Sequence, residues 1–319
     1  MIQKTICVLG GSGFVGHQLV SQLSKAGYVV RIPSRNRERR RSIMVLPNVE
    51  ITDVDINDEE ALKGLFSGCD AVINLAAILN EQATDTFKKL HVELAQKVVN
   101  ACRATGVTRL LHMSALNADA KNGSSAYLRS KGEGEDLVHG ADDLQVTSFR
   151  PAVMFGWDDH FFTRLDLMMR YLPVMPVFCP EARMAPVYVE DVVTVMMKSL
   201  TDKTTIGQRF DLCGPEAFTM LELTQYTRRL TKAKTILLPM GPGLSALHGR
   251  ILGILPFKVF THDNFLSLQT PAICKGPFPE QFGIVPKKLD MIVPKYIGRK
   301  DIRGRYDEIR RKAARDPEV

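Results

Sequence analysis

The stretch VLGGSGFVGHQLV, residues 8–20, places Gly10, Gly13 and Gly16 at three-residue spacing between an apolar strand and a helix. Glycines spaced in this way let the backbone turn tightly and approach a pyrophosphate, which the N-terminus of the following helix also attracts. A glycine triplet alone is weak evidence, but this one opens a series of alternating strands and helices. We therefore predict a dinucleotide site; a tight turn without a ligand is the less favoured alternative. The residues predicted to line its phosphate end are Gly10, Gly13, Phe14, Val15 and Gly16.

The rest of the first 150 residues continues this alternation. The predicted strands are KTICVLG (4–10), YVVRIPS (28–34), VEITDVDI (49–56), DAVINLAA (70–77), TRLLHMSA (108–115) and LQVTSFRPA (144–152). Helices are predicted over residues 16–26 and 87–105, and a short helix is predicted with Asn57 as its N-cap. Apolar strands that alternate with helices indicate a parallel sheet covered on both faces. The predicted fold class is therefore α/β, a Rossmann-type doubly wound parallel sheet with a smaller C-terminal lobe.

The pattern changes after Pro151. Residues 156–184 are rich in aromatic residues, methionine and proline and show no clear period, whereas 184–200 and QRFDLCG (208–214) again resemble sheet and helix segments. The predicted organisation follows from this change. It comprises a dinucleotide-binding domain (1–155), a segment that returns to its sheet (185–214), and a smaller substrate or partner lobe (156–184 and 215–319) with a basic C-terminal tail.

Composition excludes several classes of protein. The six cysteines are scattered without a C-x-x-C pair, which argues for a reducing compartment and against a disulfide framework or a zinc site. The histidines show no metal-binding spacing, so no metal is expected. A strand-like run begins at Lys4, so no signal segment is expected, and no apolar stretch approaches the roughly 18 residues of a membrane-spanning helix. The predicted localisation is cytoplasmic, with a peripheral place on the inner face of the cytoplasmic membrane as the alternative.

The net charge of +7 is concentrated near the C-terminus. Residues 295–315 hold nine Lys or Arg against Asp301, Asp307 and Glu308. Such a tail fits an acidic partner surface or peripheral contact with an anionic membrane, and a solvated terminal helix is the alternative. A nucleic-acid partner is not expected.

The end of the second strand indicates which dinucleotide is bound. An acidic residue there would hold the ribose 2′-hydroxyl of NAD, but none occurs before Glu38. Ser34 and Arg35, with Arg37 or Arg31, can instead bind a 2′-phosphate, because arginine offers a forked donor that is always charged. We predict NADP(H) in preference to NAD(H); the alternative places these arginines on a solvated loop.

Other strand ends complete the predicted cofactor site. The residues placed near the adenine are Asp55 and Ile56, after the third strand. Those placed beside the ribose and phosphates are Leu75, Ala76 and Ala77, after the fourth strand. Pro151, at the end of the sixth strand, is predicted to line the nicotinamide pocket, with a simple strand-end turn as the equally favoured alternative.

Ser114 closes the fifth strand, Tyr127 follows 13 residues later, and Lys131 lies one helical turn beyond it. Together with the glycine triplet, this pattern resembles the short-chain dehydrogenase/reductase superfamily in its extended or atypical branch, which includes NAD-dependent epimerases and dehydratases. The resemblance implies that Tyr127 transfers a proton and Ser114 orients the substrate oxygen. It also implies that Lys131 holds the nicotinamide ribose and lowers the pKa of the tyrosine. Tyr127 and Lys131 therefore belong to both the catalytic and the cofactor-binding sets.

A second resemblance spans nearly the whole chain. INLAAIL, LLHMSALNADAKNGSSAYLRSKGEGE, RPAVMFGWDDHFF, PVYVEDV and FGIVPKKLDMIVPKYI resemble bacterial relatives of the nucleotide-binding accessory subunit of respiratory complex I. This implies a tightly held NADPH and a structural or assembly role at an NADH–quinone oxidoreductase. The alternative is a free-standing NADP-dependent reductase or epimerase that acts on a carbonyl or hydroxyl substrate through Ser114, Tyr127 and Lys131. A second alternative is a sensor of NADP(H) without catalysis.

Overall fold

The computed structural model describes residues 3–34, 41–82, 84–252 and 260–298. In chain order the strands are β1 (Thr5–Leu9), β2 (Val29–Pro33), β3 (Val49–Thr52), β4 (Ala71–Asn74), β5 (Arg109–Met113), β6 (Gln145–Pro151), β7 (Met154–Phe155), β8 (Val174–Phe178), β9 (Arg183–Met184), β10 (Val187–Tyr188), β11 (Arg209–Leu212), β12 (Phe218–Thr219) and β13 (Ile236–Met240). The helices are α1 (Phe14–Lys25), α2 (Arg41–Met44), α3 (Glu59–Phe66), α4 (Leu94–Thr105), α5 (Ala126–His139), α6 (Phe162–Tyr171), α7 (Val189–Ser199), α8 (Met220–Thr231), α9 (Pro242–Leu252), α10 (His262–Ser267) and α11 (Leu289–Ile292). A π-helical segment, Lys88–Glu93, runs directly into α4.

A seven-stranded sheet forms the centre of the molecule, in the order β3-β2-β1-β4-β5-β6-β11. Every neighbouring pair in it is parallel. The strand order reverses between β1 and β4, and a crevice at the carboxyl ends of the strands is expected at such a switch point. This topology confirms the predicted doubly wound α/β class.

Alternation along each strand explains the two apolar layers. In β1, Ile6 and Val8 contribute to a core shared with α1 and α7, whereas Cys7 and Leu9 contribute to a core shared with α3 and α4. Successive side chains of a strand point to opposite faces, so an apolar run buries both faces of the sheet.

Two predicted helix starts need correction. The helix after the glycines begins at Phe14, two residues before the predicted start. Asp58, and not Asn57, is the N-cap of α3, and its carboxylate accepts from the backbone N–H groups of Glu60 and Ala61. The Asn57 side chain instead donates to Asp55, which closes the turn that precedes the helix. The predicted stop of α4 at Gly106 is confirmed, because this residue has a φ of 74°.

The residues after β6 form both sheet and lobe. Of the segment predicted to return to the sheet, β11 pairs with β6, whereas β10 pairs with β7 in a separate two-stranded sheet. Two further pairs, β9 with β12 and β8 with β13, lie outside the main sheet. Among the residues that the structure describes, no helix combines the length and apolar character that crossing a membrane requires.

The expectation of unpaired cysteines is wrong at one place. Cys213, just after β11, is bonded to Cys274, and 61 positions separate them in the sequence. Both lie in a small apolar cluster with Leu116 and Ala152. The fold brings two distant segments together here, and cysteine spacing along the chain carries no trace of that contact.

Candidate functional site

The glycine loop forms a tight cradle at the carboxyl end of β1. Gly10 has a φ of +75°, and the loop is closed by a hydrogen bond from the Gly13 N–H to the Gly10 carbonyl oxygen. A Cβ on Gly16 would lie 2.2 Å from that same oxygen, so no other residue fits there without moving the backbone. The third glycine therefore permits close packing of α1 against the loop, as a dinucleotide cradle requires.

The N-terminus of α1 faces this cradle, and no N-cap side chain accepts from its first backbone N–H groups. Gly13 is the N-cap and offers no side chain to the first backbone N–H groups, and none of the first-turn residues is acidic. Unpaired N–H groups and the helix dipole favour negative charge at this point. The predicted residues from Gly10 to Gly16 thus fit a bound pyrophosphate.

The end of β4 forms the adjoining wall. A Cβ on Gly10 would lie 3.0 Å from the Leu75 carbonyl carbon and 3.1 Å from the Ala76 nitrogen, so the glycine loop is in close contact with Leu75 and Ala76. Buried Asn74 shapes this segment, because its side-chain oxygen accepts from the Ala76 N–H at 3.1 Å. The structure therefore brings Leu75, Ala76 and the glycine loop together at the switch point.

The adenosine end is described only in part. Ser34 is buried at the end of β2, while Arg35 and Arg37 lie outside the described residues. Arg31, the other candidate partner of a 2′-phosphate, has different partners in this structure. Its guanidinium donates to the Ser67 carbonyl oxygen at 2.7 Å and pairs with Glu50, so it is committed to the end of α3 and to β3.

Asp55 and Ile56 follow β3, as predicted for residues near an adenine. Asp55 is exposed, and Ile56 is half-buried against the apolar layer beneath the sheet. Pro151 is the last residue of β6, and its carbonyl oxygen accepts from the Leu116 N–H at 3.0 Å. Pro151 therefore lies beside the loop that follows β5.

Ser114 is held by a buried ionic network. Its hydroxyl donates to the carboxylate of Glu135 at 2.8 Å, and Glu135 is completely buried. Arg150 donates to both oxygens of the same carboxylate, and Arg209 approaches it at 3.4 Å. Sequence reasoning missed this network, in which the Ser114 hydroxyl is committed to a carboxylate of the neighbouring helix.

Lys131 is directed to the carboxyl end of β5. Its ammonium donates to the Met113 carbonyl oxygen at 2.5 Å, and the side chain is buried. Burial lowers the pKa of Lys131 to about 8, although Glu135 opposes this shift. Lys131 therefore lies at the carboxyl ends of the strands, where the ribose of a bound dinucleotide is expected.

Tyr127 lies in the first turn of α5 among two aromatic neighbours. Its ring packs edge-on against Phe87 and His91, at centroid separations of 5.8 and 5.6 Å. Burial and the nearby carboxylate of Asp263 raise the pKa of Tyr127 to about 12. This direction is opposite to the lowering by Lys131 that the family resemblance implies.

Asp263 belongs to α10, far away in the sequence, and sequence reasoning missed it. Its carboxylate accepts from the backbone N–H groups of Ala126 and Tyr127, at 2.7 and 3.2 Å. The Ser267 hydroxyl of α10 also donates to Ser125, the N-cap of α5. α10 therefore caps the N-terminus of the helix that carries Tyr127, where a carboxylate is favoured by the helix dipole.

His91 is a second missed residue, and its contacts fix its protonation. The Ile78 N–H donates to Nε2 at 3.2 Å, so Nδ1 carries the proton and donates to the Ser130 hydroxyl at 2.9 Å. Ser130 in turn donates to the Tyr127 carbonyl oxygen. Burial, with the charge of Lys131, lowers the pKa of His91 to about 3. The residue lies in the π-helical segment before α4, a geometry frequent at functional sites.

Comparison with known proteins identifies relatives across most of the chain. The mitochondrial NADH dehydrogenase [ubiquinone] 1 alpha subcomplex subunit 9 of Mus musculus is 27% identical over 292 residues, covering 89% of this chain and 77% of that protein. The mitochondrial NADH-ubiquinone oxidoreductase 40 kDa subunit of Neurospora crassa is 28% identical over 228 residues, 70% of this chain and 60% of its own length. Ceramide reductase of Caulobacter vibrioides is 29% identical over 186 residues, 58% of this chain and 57% of that protein.

Solved structures and a family model agree with the fold and the cradle. Pal from Bacillus thuringiensis superimposes with a TM-score of 0.71 at 16% identity, covering 92% of this chain and 97% of that one, which shows a shared fold. Residues 6–213, from β1 to the end of β11, match the model of the NAD dependent epimerase/dehydratase family. This match contains the glycine cradle and supports a nicotinamide dinucleotide as the cofactor. By its glycine cradle, its parallel sheet and this match, the chain belongs to the NAD-dependent epimerase/dehydratase family.

Proposed function

We propose that the chain retains NADP(H) and serves as an accessory or assembly component of a respiratory NADH–quinone oxidoreductase. The mouse and Neurospora relatives are named as subunits of that enzyme, and the mouse protein aligns with 89% of this chain. The proposed role needs a firmly held dinucleotide and a partner surface, and it requires no turnover. Peripheral membrane contact through the basic tail belongs to the same proposal, although residues 299–319 of that tail lie outside the described residues.

The observation that carries this proposal is the state of Ser114 and Tyr127. Ser114 donates to Glu135, and the pKa of Tyr127 is about 12. An effective proton donor needs a pKa near the working pH, whereas burial and the adjacent Asp263 carboxylate raise the pKa of this tyrosine away from it. The site therefore favours holding a nucleotide over using it.

The deciding experiment is to purify the full chain without added nucleotide, denature it, and identify by mass spectrometry what is released. The accessory role predicts near-stoichiometric NADP(H), because a structural cofactor must survive purification. An empty protein that exchanges added nucleotide freely would contradict it. Gly16→Ala, which places a Cβ against the Gly10 carbonyl oxygen, is the matched variant that should release none.

The preference for NADP(H) rests on Ser34 and on the arginines that follow β2. Replacing Arg35 with alanine should weaken NADPH binding by about tenfold or more and NADH binding hardly at all, since one charge-assisted contact to a 2′-phosphate is lost. Arg103→Ala is the control, because Arg103 lies near the end of α4 and pairs with Asp143, which precedes β6, away from the cradle. Equal weakening of both nucleotides would exclude the 2′-phosphate contact.

A reductase or epimerase is the second candidate, and the Lys131 site favours it. The pKa of Lys131 is about 8, and its ammonium lies at the end of β5. When bound, the nicotinamide supplies hydride-transfer chemistry. Lys131 would hold its ribose while Tyr127 moves a proton to or from the substrate oxygen. The relative named ceramide reductase supports the same alternative.

Tyr127→Phe separates these two candidates. The variant keeps the ring that packs against Phe87 and His91 but removes the hydroxyl. If the chain is an enzyme, a substrate-dependent rate should fall by about 100-fold or more while nucleotide binding persists. A rate that does not depend on the hydroxyl would remove Tyr127 as proton donor and leave the accessory role.

A further inference from the structure

An apolar face of the second lobe lacks the polar cover that a solvated strand pair normally has. β8 and β13 pair in parallel, with Val174 opposite Ile236 and Pro176 opposite Leu238. Met175 and Val177 are buried on the inner side, so the alternation of a strand places Val174 on the outer side. Parallel strands are usually covered on both faces, and here the outer side chains are also apolar.

The apolar surface extends onto the end of α6. The Thr235 hydroxyl lies 2.7 Å from the Met169 carbonyl oxygen and 2.9 Å from that of Leu172, which fixes the start of β13 against the end of α6. Tyr171 is 77% exposed and Ile236 is 63% exposed. We call this surface the docking face, and its residues are Tyr171, Leu172, Val174, Ile236 and Leu238.

The charged residues in the chain segment around β13 are all basic, whereas the carboxylate of Asp166 on α6 is paired with Arg170. From Leu223 to His262 the chain contains no Asp or Glu, and it contains Arg228, Arg229, Lys232, Lys234, Arg250 and Lys258. Lys234 is exposed and lies two residues before Ile236, on the same side of the extended chain. In the described part of the chain, no carboxylate lies within ion-pair distance of Lys232 or Lys234.

We propose that the docking face binds the surface of an anionic phospholipid bilayer. Aliphatic and aromatic side chains would enter the boundary between headgroups and acyl chains, while Lys232 and Lys234 would meet lipid phosphates. Tyrosine suits such a boundary because its ring is apolar and its hydroxyl remains hydrated. A surface for an acidic protein would need polar partners among its apolar side chains, and the docking face offers only its basic rim.

The inference deepens the proposed accessory role by naming a membrane contact apart from the basic tail, and vesicles test it without any partner complex. The full chain should co-sediment with phosphatidylcholine vesicles that contain phosphatidylglycerol, and only weakly with phosphatidylcholine alone. Ile236→Thr combined with Leu238→Thr should weaken binding to the anionic vesicles by about tenfold, since apolar area is lost and strand propensity is kept. Val285→Ser is the matched control, because Val285 is 89% exposed at a different place and should bind as wild type does.

A second pair of substitutions keeps the test decisive if the threonine variant unfolds. Lys232→Gln with Lys234→Gln should reduce the preference for anionic vesicles several-fold while the melting temperature and the retained nucleotide stay unchanged. Undiminished binding by both sets of variants would assign the lipid contact to the basic tail and overturn the proposal. Absence of vesicle binding, with loss of a protein partner in the threonine variant, would make this face a protein interface and would also overturn it. Neither result would change the nucleotide released from the wild type, so the cofactor proposal stands or falls separately.

Discussion

Backbone atoms form one end of the candidate site, and side chains form the other. At the β1–β4 end, backbone forms the cradle: Gly10 lies against Leu75 and Ala76, and its carbonyl oxygen faces Gly16 in the first turn of α1. At the β5–β6 end, side chains set the geometry, and each has a competing partner, such as Glu135 for Ser114 and the Met113 carbonyl oxygen for Lys131.

This difference separates the evidence for nucleotide binding from the evidence for catalysis. A backbone cradle tolerates no larger residue at Gly16 and binds any dinucleotide pyrophosphate in the same way. A side-chain constellation can retain its residue types while its hydrogen bonds serve the fold. Intact spacing of Ser114, Tyr127 and Lys131 is therefore weaker evidence for catalysis than the glycine triplet is for binding.

The largest expected effect is at the backbone end. Gly16→Ala places a Cβ 2.2 Å from the Gly10 carbonyl oxygen, so the loop must open and lose its fit to a pyrophosphate. We expect NADPH affinity measured by calorimetry to fall by about 1,000-fold, or about 4 kcal/mol. Gly64→Ala is the control, because a Cβ there meets nothing within 4 Å and alanine favours the interior of α3. Unchanged affinity in Gly16→Ala would mean that the nucleotide does not use this loop.

At the side-chain end, Glu135 should matter for stability more than for binding. Glu135→Ala leaves the Arg150 and Arg209 guanidinium groups without their shared buried carboxylate. Loss of one partner of such a pair costs about 3 kcal/mol in the free energy of unfolding, measured in urea. Glu135→Gln, which retains the shape and accepts one hydrogen bond, should lose less. If the alanine variant were as stable as wild type, the network would not hold this end together.

The same contrast explains what the sequence could predict. The glycine triplet, the alternation of strands with helices and the Tyr127–Lys131 spacing are local patterns. Such patterns predict the cradle formed by backbone and the helix that carries the tyrosine. The partners that decide the chemical state of Tyr127 come from elsewhere. Asp263 is 136 residues from Tyr127. His91 lies on a different helix from Ser130, and no periodicity marks it.

The sequence-based predictions that the structure changes concern side-chain partners and distant residue pairs, for the same reason. Arg31 has the residue type that a 2′-phosphate needs, but its place in the middle of β2 directs it to Ser67 at the end of α3. Cys213 and Cys274 meet only because β11 ends beside the segment after α10. A residue type allows several hydrogen-bond or disulfide partners, and the tertiary structure determines which of them it meets.

His91 should make this end sensitive to acid. Its pKa is lowered from 6.5 to about 3, so the unfolded chain binds a proton that the folded chain excludes between these pH values. Stability from this group is complete above pH 6.5 and is lost as the pH falls toward 3, by up to about 1.4 kcal/mol for each pH unit. Urea unfolding at pH 6.5, 5.5 and 4.5 should show a shallower decline for His91→Gln, which keeps an acceptor for Ile78 but does not titrate.

Phe87→Leu is the control for that measurement. It disturbs the same aromatic contacts with Tyr127 and His91 but removes no titrating group, so its stability should fall equally at every pH. His112 and His139, whose pKa values burial also lowers, remain in all variants, and His91 is only the last of the causes that lower the pKa of His112. Parallel curves for wild type and His91→Gln would show that His91 is not held neutral by this site.

The smallest expected effect is at Ser114, and it tests the comparison most sharply. Ser114→Ala removes one hydrogen bond to Glu135, which keeps Arg150 and Arg209, so the free energy of unfolding should fall by only about 1 kcal/mol. NADPH retention should stay unchanged, because the cradle end is backbone. A serine that orients substrate would behave differently, since its loss would lower a substrate-dependent rate by far more than this change in stability. An alanine variant that folds, retains nucleotide and differs from wild type only in unfolding would assign Ser114 to the fold.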